Sequence, residues 1–537
     1  MTISSALRRG ALVALLSGSF PLLMSSIPSA AAQSGSAAKV PVTINLAMTA
    51  DYDNLSPYKT KFFAGYQVAT AFYDRLVALD REGKVIPFLA SSWKATATEA
   101  TFNIRNDIVC SDGTPLTPKA IAASIQHLAD PATNAPYRVR TFGAGKVTTS
   151  YTDSTVTISL SKPYNEMLVG LAMPWAGIVC PSGLANLKGI ESMPVGSGPY
   201  TLDAGKSVRG SHYTMHRRTD YHWGPSGTTS ANLPDTLVMH VVQNGQTLAR
   251  QLVSGSLDIG IVAPTDSIIA DRNKKLTRTL FPFNGSYFLM VRQPPGSPWS
   301  DANLRKALAM SFDHASVTKI VGLGHFKPAK SFLSNALPCY GVADDSMLKF
   351  NQDKAKQLLE QAGYKKNSNG KWAKDGVTLK IRFIAPTTPY PTANAKLLKD
   401  FLAFGFDASL QEMDFGALFD AMPNRANWDI ALFPYGPPIP TYSSADSFLV
   451  STGGNNYSKI NNSQFDELAA KGIMSEPQSE EQCKIWKAAQ TQLVSDANII
   501  PLFTPSGSVY TDAKLDAKQL VSFGGASIVV TSIHIAQ

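Results

Sequence analysis

The side chains of this chain that could do chemistry are few in kind: loop tyrosines, a cluster of histidines, four cysteines and a Gly-Ser-Gly-Pro turn. Tyr52, Tyr287, Tyr390 and Tyr435 fall in or beside turn-rich segments. A phenol presents a flat apolar face and a polar tip, which suits capture of a small molecule of mixed character. Met193–Leu202 reads MPVGSGPYTL. Gly196 and Gly198 permit positive φ or a close approach to the main chain. Ser197 offers a hydroxyl, and the amides of Ser197 and Gly198 could face a ligand. The plainer reading is a tight turn feeding a strand. His212, His216, His222 and His240 lack the spacing of a metal site, and no acid partner stands out beside them. DYHWG, Asp220 to Gly224, reads as a turn. No Gly-x-Ser-x-Gly elbow, His-Glu-x-x-His helix or P-loop occurs in the sequence. Asp112-Gly113 reads as a turn, and Asp258 has a structural role at a strand start. The residue types favour binding over bond-making.

These residues must be positioned by a large fold. With 537 residues, 44% of them hydrophobic and 17% charged, the chain can bury a sizeable core, and its length suggests two to four domains. The net charge of +9 is spread out, and pairs such as Arg217-Arg218 and Lys274-Lys275 read as solvated faces, so no nucleic-acid partner is expected. Residues 1–32 read as a signal peptide: Arg8-Arg9, an apolar run from Ala11 to Met24, then small residues before Gln33. Its removal deletes two arginines and no acid. No cysteine lies near the cleavage point, so no lipid anchor is expected. No later run reaches the ~18 apolar residues that span a bilayer. The expected product is exported and soluble. Cys110, Cys180, Cys339 and Cys483 then lie in an oxidising compartment. Cys483 falls in a helical pattern and reads as a buried or lone thiol.

Along the chain, β and α patterns alternate. Val42–Met48 alternates as a strand. Thr117 caps a helix that has Pro118 at its first position. TVTISLSKPY, VTLKIRFIA, WDIALFPYG and NIIPLF read as strands. Gly65–Leu79, Asp353–Gly363 and Gln482–Ser495 read as helices. Such mixing argues for α/β layers.

The order of these segments resembles a known family. FLASSW followed by FNIRNDIVCSDGTPLTPKAIAASI, then VGSGPYTL, RRTDYHWG, LVSGSLDIGIV, SPWSDANLRKALAMSFDHASV and FNQDKAKQLLEQAGY occur in the order and rough spacing of the family 5 solute-binding proteins of ABC importers, which take dipeptides, oligopeptides or nickel. The resemblance runs from about residue 42 to about 510. It implies an α/β, two-lobed periplasmic-binding-protein fold with a hinge and an extra subdomain in the first lobe. Lobe I would be 40–288 plus 502–537, with the subdomain at about 86–192, and lobe II would be 289–501. The strands near Tyr287–Val291 and Ile500–Phe503 would be the hinge crossings. Cys110 and Cys180 each end an apolar run within that subdomain and are the favoured disulfide pair.

The resemblance also implies a cleft lined by Tyr52, Asn54, Ser197, Gly198, Asn284, Ser286, Tyr287, Thr388, Tyr390, Tyr435 and Gly436. Two positions depart from the family's dipeptide binders. Thr388, in APTTPYP, stands where they carry an arginine for the peptide carboxylate. Pro437, in FPYGPPIP, replaces the aspartate that meets the peptide amino group. A charge buried in a closed cleft without a partner costs several kcal/mol. A neutral or bulkier solute held by rings and hydroxyls fits better than a free dipeptide. A metal chelate, an opine, an oligosaccharide or a sensor role are the alternatives. The implied partners are an inner-membrane permease and its ATPase subunits. No cofactor is expected, and the protein should act as a periplasmic monomer without catalysis.

Overall fold

The computed structural model describes residues 41–61, 63–80, 82–337, 339–343, 347–387, 390–424, 427–435, 445, 448–477, 479–512, 515 and 528–534. These residues fall within one unit, Pro41–Gln537. The expected signal segment, Thr388, Gly436 and Pro437 lie outside the described residues.

Among the described residues, three of the five sheets carry the fold. The first body begins with β1 (Thr43–Met48) and α1 (Phe63–Phe72). A four-stranded subdomain follows, with β2 (Ala90–Ala95), β3 (Glu99–Ile104), α2 (Pro118–Ala129), β4 (Val147–Tyr151) and β5 (Thr155–Leu160). The chain then returns through β6 (Tyr200–Val208), β7 (His212–Arg217), β8 (Thr236–Val241), α3 (Gly245–Ser254), β9 (Ile259–Val262) and β10 (Leu276–Pro282). The second body contains β11 (Ser286–Val291), β12 (Lys327–Pro328), β13 (Lys380–Pro386), α4 (Pro391–Phe404), β14 (Asp407–Met413), β15 (Ile430–Tyr435), α5 (Ser463–Met474), α6 (Glu480–Ser495) and β16 (Ile499–Thr504). Finally β17 (Ser506–Asp512) rejoins the first sheet.

The first sheet has the order β10-β17-β9-β1-β8-β7-β6, the second β12-β16-β11-β15-β13-β14, and the subdomain β2-β3-β5-β4. The central strands are buried on both faces, as sheets covered by helices require. In β11, Tyr287, Leu289 and Val291 point into one core and Phe288 and Met290 into another.

Register fixes where the sheets meet. β1 runs parallel to β8 and β9, while β17 is antiparallel to β9 and β10. The carboxyl ends of β1, β8, β9 and β10 therefore share one edge with the start of β17. In the second sheet β13 runs parallel to β14 and β15, and β11 is antiparallel to β15 and β16. The carboxyl ends of β13 to β16 share an edge with the start of β11. Two short links join these edges: Phe283–Gly285 between β10 and β11, and Pro505 between β16 and β17. The Phe283 amide donates to the Pro505 carbonyl at 3.2 Å, tying the links together. The crossings thus differ from the expected Tyr287–Val291 and Ile500–Phe503, which lie inside the second sheet. Their apolar runs mark buried strands but do not say to which sheet the strands belong.

Candidate functional site

In open α/β sheets, ligands settle outside the carboxyl ends of the strands. Here two such edges are joined at the links.

On the first edge, the loop after β1 carries Tyr52 and Asn54. The Tyr52 ring is buried, 4.7 Å from the Tyr213 ring, with the Arg209 guanidinium 5.2 Å above it. Tyr213 donates its hydroxyl to Asp51 at 2.6 Å, and the Tyr52 amide donates to the same carboxylate at 2.8 Å. Burial pushes the Tyr52 phenol up, with Arg209 opposing. Arg209 itself is exposed. Asn54 accepts from the Ser56 amide at 2.8 Å, a contact that shapes the loop.

On the second edge, Tyr287 and Tyr390 come together, their rings 5.0 Å apart at 79°. Phe503 stacks on Tyr287 at 4.9 Å, and Phe326 meets Tyr390 edge-on at 5.3 Å. Burial raises both phenols far above their ordinary range. Neither hydroxyl has a hydrogen-bond partner among the described residues, yet neither is sealed from solvent as the orphaned buried atoms are. In the link itself, Asn284 is buried and its Oδ1 lacks a partner among the described residues.

Other expected site residues are placed differently. Ser286 donates its hydroxyl to the Ser331 carbonyl at 2.6 Å, so it fastens the neighbouring loop. Tyr435 is buried on the opposite face from Tyr287, edge-on to Phe332 at 5.6 Å. It belongs to the core. Ser197 is fully buried and donates to Asp74 at 3.0 Å. The Gly198 amide donates to the Phe72 carbonyl at 2.9 Å. Neither offers its group to a solute. Gly196 and Gly198 are absent from the positive-φ residues, so their role is close approach: a Cβ on Gly198 would stand 2.4 Å from the Phe72 carbonyl carbon.

Asp74 organises this junction. Trp223 Nε1 donates to it at 2.8 Å and the Tyr221 hydroxyl at 3.4 Å. Burial pushes its carboxyl up, against the pull of Trp223, Ser197 and the nearby Arg75 and Arg218. DYHWG is thus a packing motif with His222 turned outward. The histidines do find partners: His216 meets Asp203 at 2.9 Å, His222 meets Asp107 at 3.2 Å, and His240 Nε2 meets Asn45 Oδ1 at 2.9 Å. Among the described residues no group of three or more His, Cys, Asp or Glu side chains could hold a metal ion.

Cys110 and Cys180 are bonded to each other, and so are Cys339 and Cys483. The second bond corrects the reading of Cys483 as a lone thiol: it ties α6 to the loop after β12, 144 residues away in sequence, where the Gln490 side chain also donates to the Cys339 carbonyl at 2.8 Å.

Within the first core the structure also builds a ring stack that local sequence does not announce. Tyr137 stacks on Trp175 at 4.5 Å, Tyr66 packs edge-on to both, and Arg140 lies 5.6 Å over Tyr137. These residues come from separate segments, so no spacing rule links them. A single clue, Tyr137 following Pro136 in a loop, is too common to use.

A family model described as bacterial extracellular solute-binding proteins, family 5, middle, matches residues 84–458. The glutathione-binding protein of Escherichia coli strain K12 is 25% identical over 326 residues, which is 59% of this chain and 61% of that protein. The aligned part thus spans under two thirds of that relative's length. A substrate-binding protein from Microbacterium hydrocarbonoxydans, solved with 4-hydroxybenzoate hydrazide, is 27% identical with a TM-score of 0.70, covering 92% of this chain and all of that one. NikZ of Campylobacter jejuni, solved with Ni(L-His), shares the fold at 20% identity and a TM-score of 0.74, over 91% of this chain and 98% of that one.

Proposed function

Because the chain belongs to the bacterial extracellular solute-binding proteins of family 5, we propose that it captures a small organic or peptide-like solute between the carboxyl edges of its two sheets and delivers it to the permease of an ABC importer. It makes and breaks no bond. The observation that carries this reading is the meeting of two strand-end edges at two short links, with the Tyr287 and Tyr390 rings together on the second edge and their hydroxyls without a partner among the described residues. Lobe I would comprise 41–283 and 506–537, and lobe II 286–504. The chain would be exported, cleaved near Ala32 and work as a periplasmic monomer; no helix among the described residues is long and apolar enough to cross a membrane.

The site favours a neutral, flat solute with hydrogen-bonding groups. Phenol hydroxyls donate to a carbonyl, and the rings cover an apolar face. Aromatic acyl amides and hydrazides have this pattern, and the protein from Microbacterium hydrocarbonoxydans was solved with one. Thr388 and Pro437 stand where dipeptide binders carry their charged anchors, which disfavours a free dipeptide.

The test is to incubate the purified chain with 4-hydroxybenzoate hydrazide, glutathione and nickel–histidine separately. A rise in melting temperature with the compound recovered intact supports capture, and the strongest shift names the class. Conversion of a compound into product overturns the reading.

A further inference from the structure

The first body and the helical cover of the second sheet meet at a contact that belongs to neither link. Asn165 stands in the corner after β5. Its Nδ2 donates to the carbonyl oxygens of Met474 at 2.5 Å and of Ser475 at 2.9 Å, across 309 and 310 residues of sequence. Those carbonyls are the last of α5 and its C-cap. Carbonyls at a helix end have no donor within the helix and carry the negative end of its dipole. Ser475 leaves the helix in an extended conformation, with ψ at 158°, so the chain departs without winding a further turn. The side-chain hydroxyl of Ser475 serves an earlier carbonyl, that of Lys471, at 2.8 Å.

Asn165 is held firmly. The amide of its neighbour Tyr164 donates to the Ala97 carbonyl at 2.6 Å, and the buried Tyr164 hydroxyl donates to the Arg140 carbonyl at 2.8 Å. On the other side, the Glu166 carbonyl accepts from the Gly170 amide at 3.0 Å as the next helix begins. The carboxamide is therefore presented on a stiff corner, half-buried, to a helix end of the other body.

We propose that Asn165 is a latch: the subdomain caps the carboxyl end of α5 when the cleft is shut, and opening returns those carbonyls to water. The latch rests on the proposed capture between two lobes, because it acts on their separation. It touches no solute, so it sets the balance of open and closed molecules before any solute arrives. Two hydrogen bonds to helix-end carbonyls weight that balance by about tenfold. A carboxylate at the same place would face the negative helix end and push the lobes apart.

The experiment is single-molecule energy transfer between labels on the two lobes of the solute-free protein, which counts open and closed molecules. Asn165→Ala should lower the closed-to-open ratio about tenfold, and Asn165→Asp should lower it further, with the melting temperature of each variant close to that of the parent. A closed-to-open ratio unchanged in both variants overturns the latch, whatever solute is captured. If the ratio shifts while no compound raises the melting temperature, the latch stands and the reading of the solute falls. Should Asn165→Asp melt early, Asn165→Ala alone decides.

Discussion

Tyr287 and Tyr390 sit in the same ring cluster, yet their hydroxyls add nothing to the fold, since neither meets a protein partner among the described residues. Tyr287→Phe and Tyr390→Phe should each weaken binding of whichever compound most raises the melting temperature about two- to tenfold by calorimetry while leaving the urea midpoint unchanged. Tyr435 behaves in the opposite way. It is sealed against Phe288 and Phe332, so Tyr435→Ala should cost about 3–5 kcal/mol in urea unfolding, as other large-to-small core changes do. A variant of Tyr435 that kept its stability but lost solute would reverse these assignments. The sequence made all three tyrosines look alike, because a loop tyrosine and a strand-end tyrosine differ only in which face the pleat gives them. Asp74 carries the pH consequence. Burial raises its native pKa above the unfolded carboxyl value of about 3.9. The native state then holds the proton more tightly than the unfolded chain. The stability this supplies is complete below pH ~3.9 and is lost as pH rises through the native pKa. Asp74→Asn should flatten that segment of the stability curve; an equally sloping curve in the variant would place the titration elsewhere.

Among elements, the VGSGPY turn was legible as a turn and illegible as a joint. Its glycines permit either positive φ or a close approach, and the structure uses the second, seating the turn against the end of α1. Gly196 and Gly198 both press on the Phe72 main chain, where an added Cβ would come within 2.2 and 2.4 Å. Gly198→Ala must push backbone aside and should cost more than about 2 kcal/mol by urea unfolding, beyond ordinary overpacking. A near-neutral result would mean the turn can shift away from α1. The subdomain that this turn closes is stapled by Cys110–Cys180, which spans 70 residues. A cross-link of that span contributes about 4 kcal/mol through the unfolded chain, so the double Cys→Ser variant should melt well below the parent. Strand and helix types were readable from period and capping: Thr117 accepts from the Ala120 amide at 3.4 Å at the start of α2, as its spacing before Pro118 predicts. Sheet membership was not. β11 and β16 are apolar on both faces, and a run without alternation records burial but no partner.

At the scale of the molecule, the two bodies keep separate cores, with Leu46 and Met239 in one and Leu289 and Leu432 in another, and the backbone between them is two short links. Nothing in local composition marks Phe283–Gly285 or Pro505 as crossings; they become visible only when strand directions are known. Separate cores joined so briefly can move as rigid bodies about the links, and a solute lodged between the edges must touch both. Binding then protects amides on both edges at once, beyond the general gain that any native-state ligand confers. Hydrogen exchange with and without a saturating amount of the compound that most raises the melting temperature should show slowed exchange in residues 49–60 of the first edge, in the links at Phe283–Gly285, and in the first turn of α4 beyond Tyr390. The far ends of the same strands, such as Thr43 in β1 and Val291 in β11, should change least. Protection confined to one edge would mean that the solute rests on a single lobe and does not draw the two together. Protection spread evenly over both bodies would point to general stabilisation. The clamp reading requires the pattern between these, strong at both carboxyl edges and fading toward the opposite ends of the sheets.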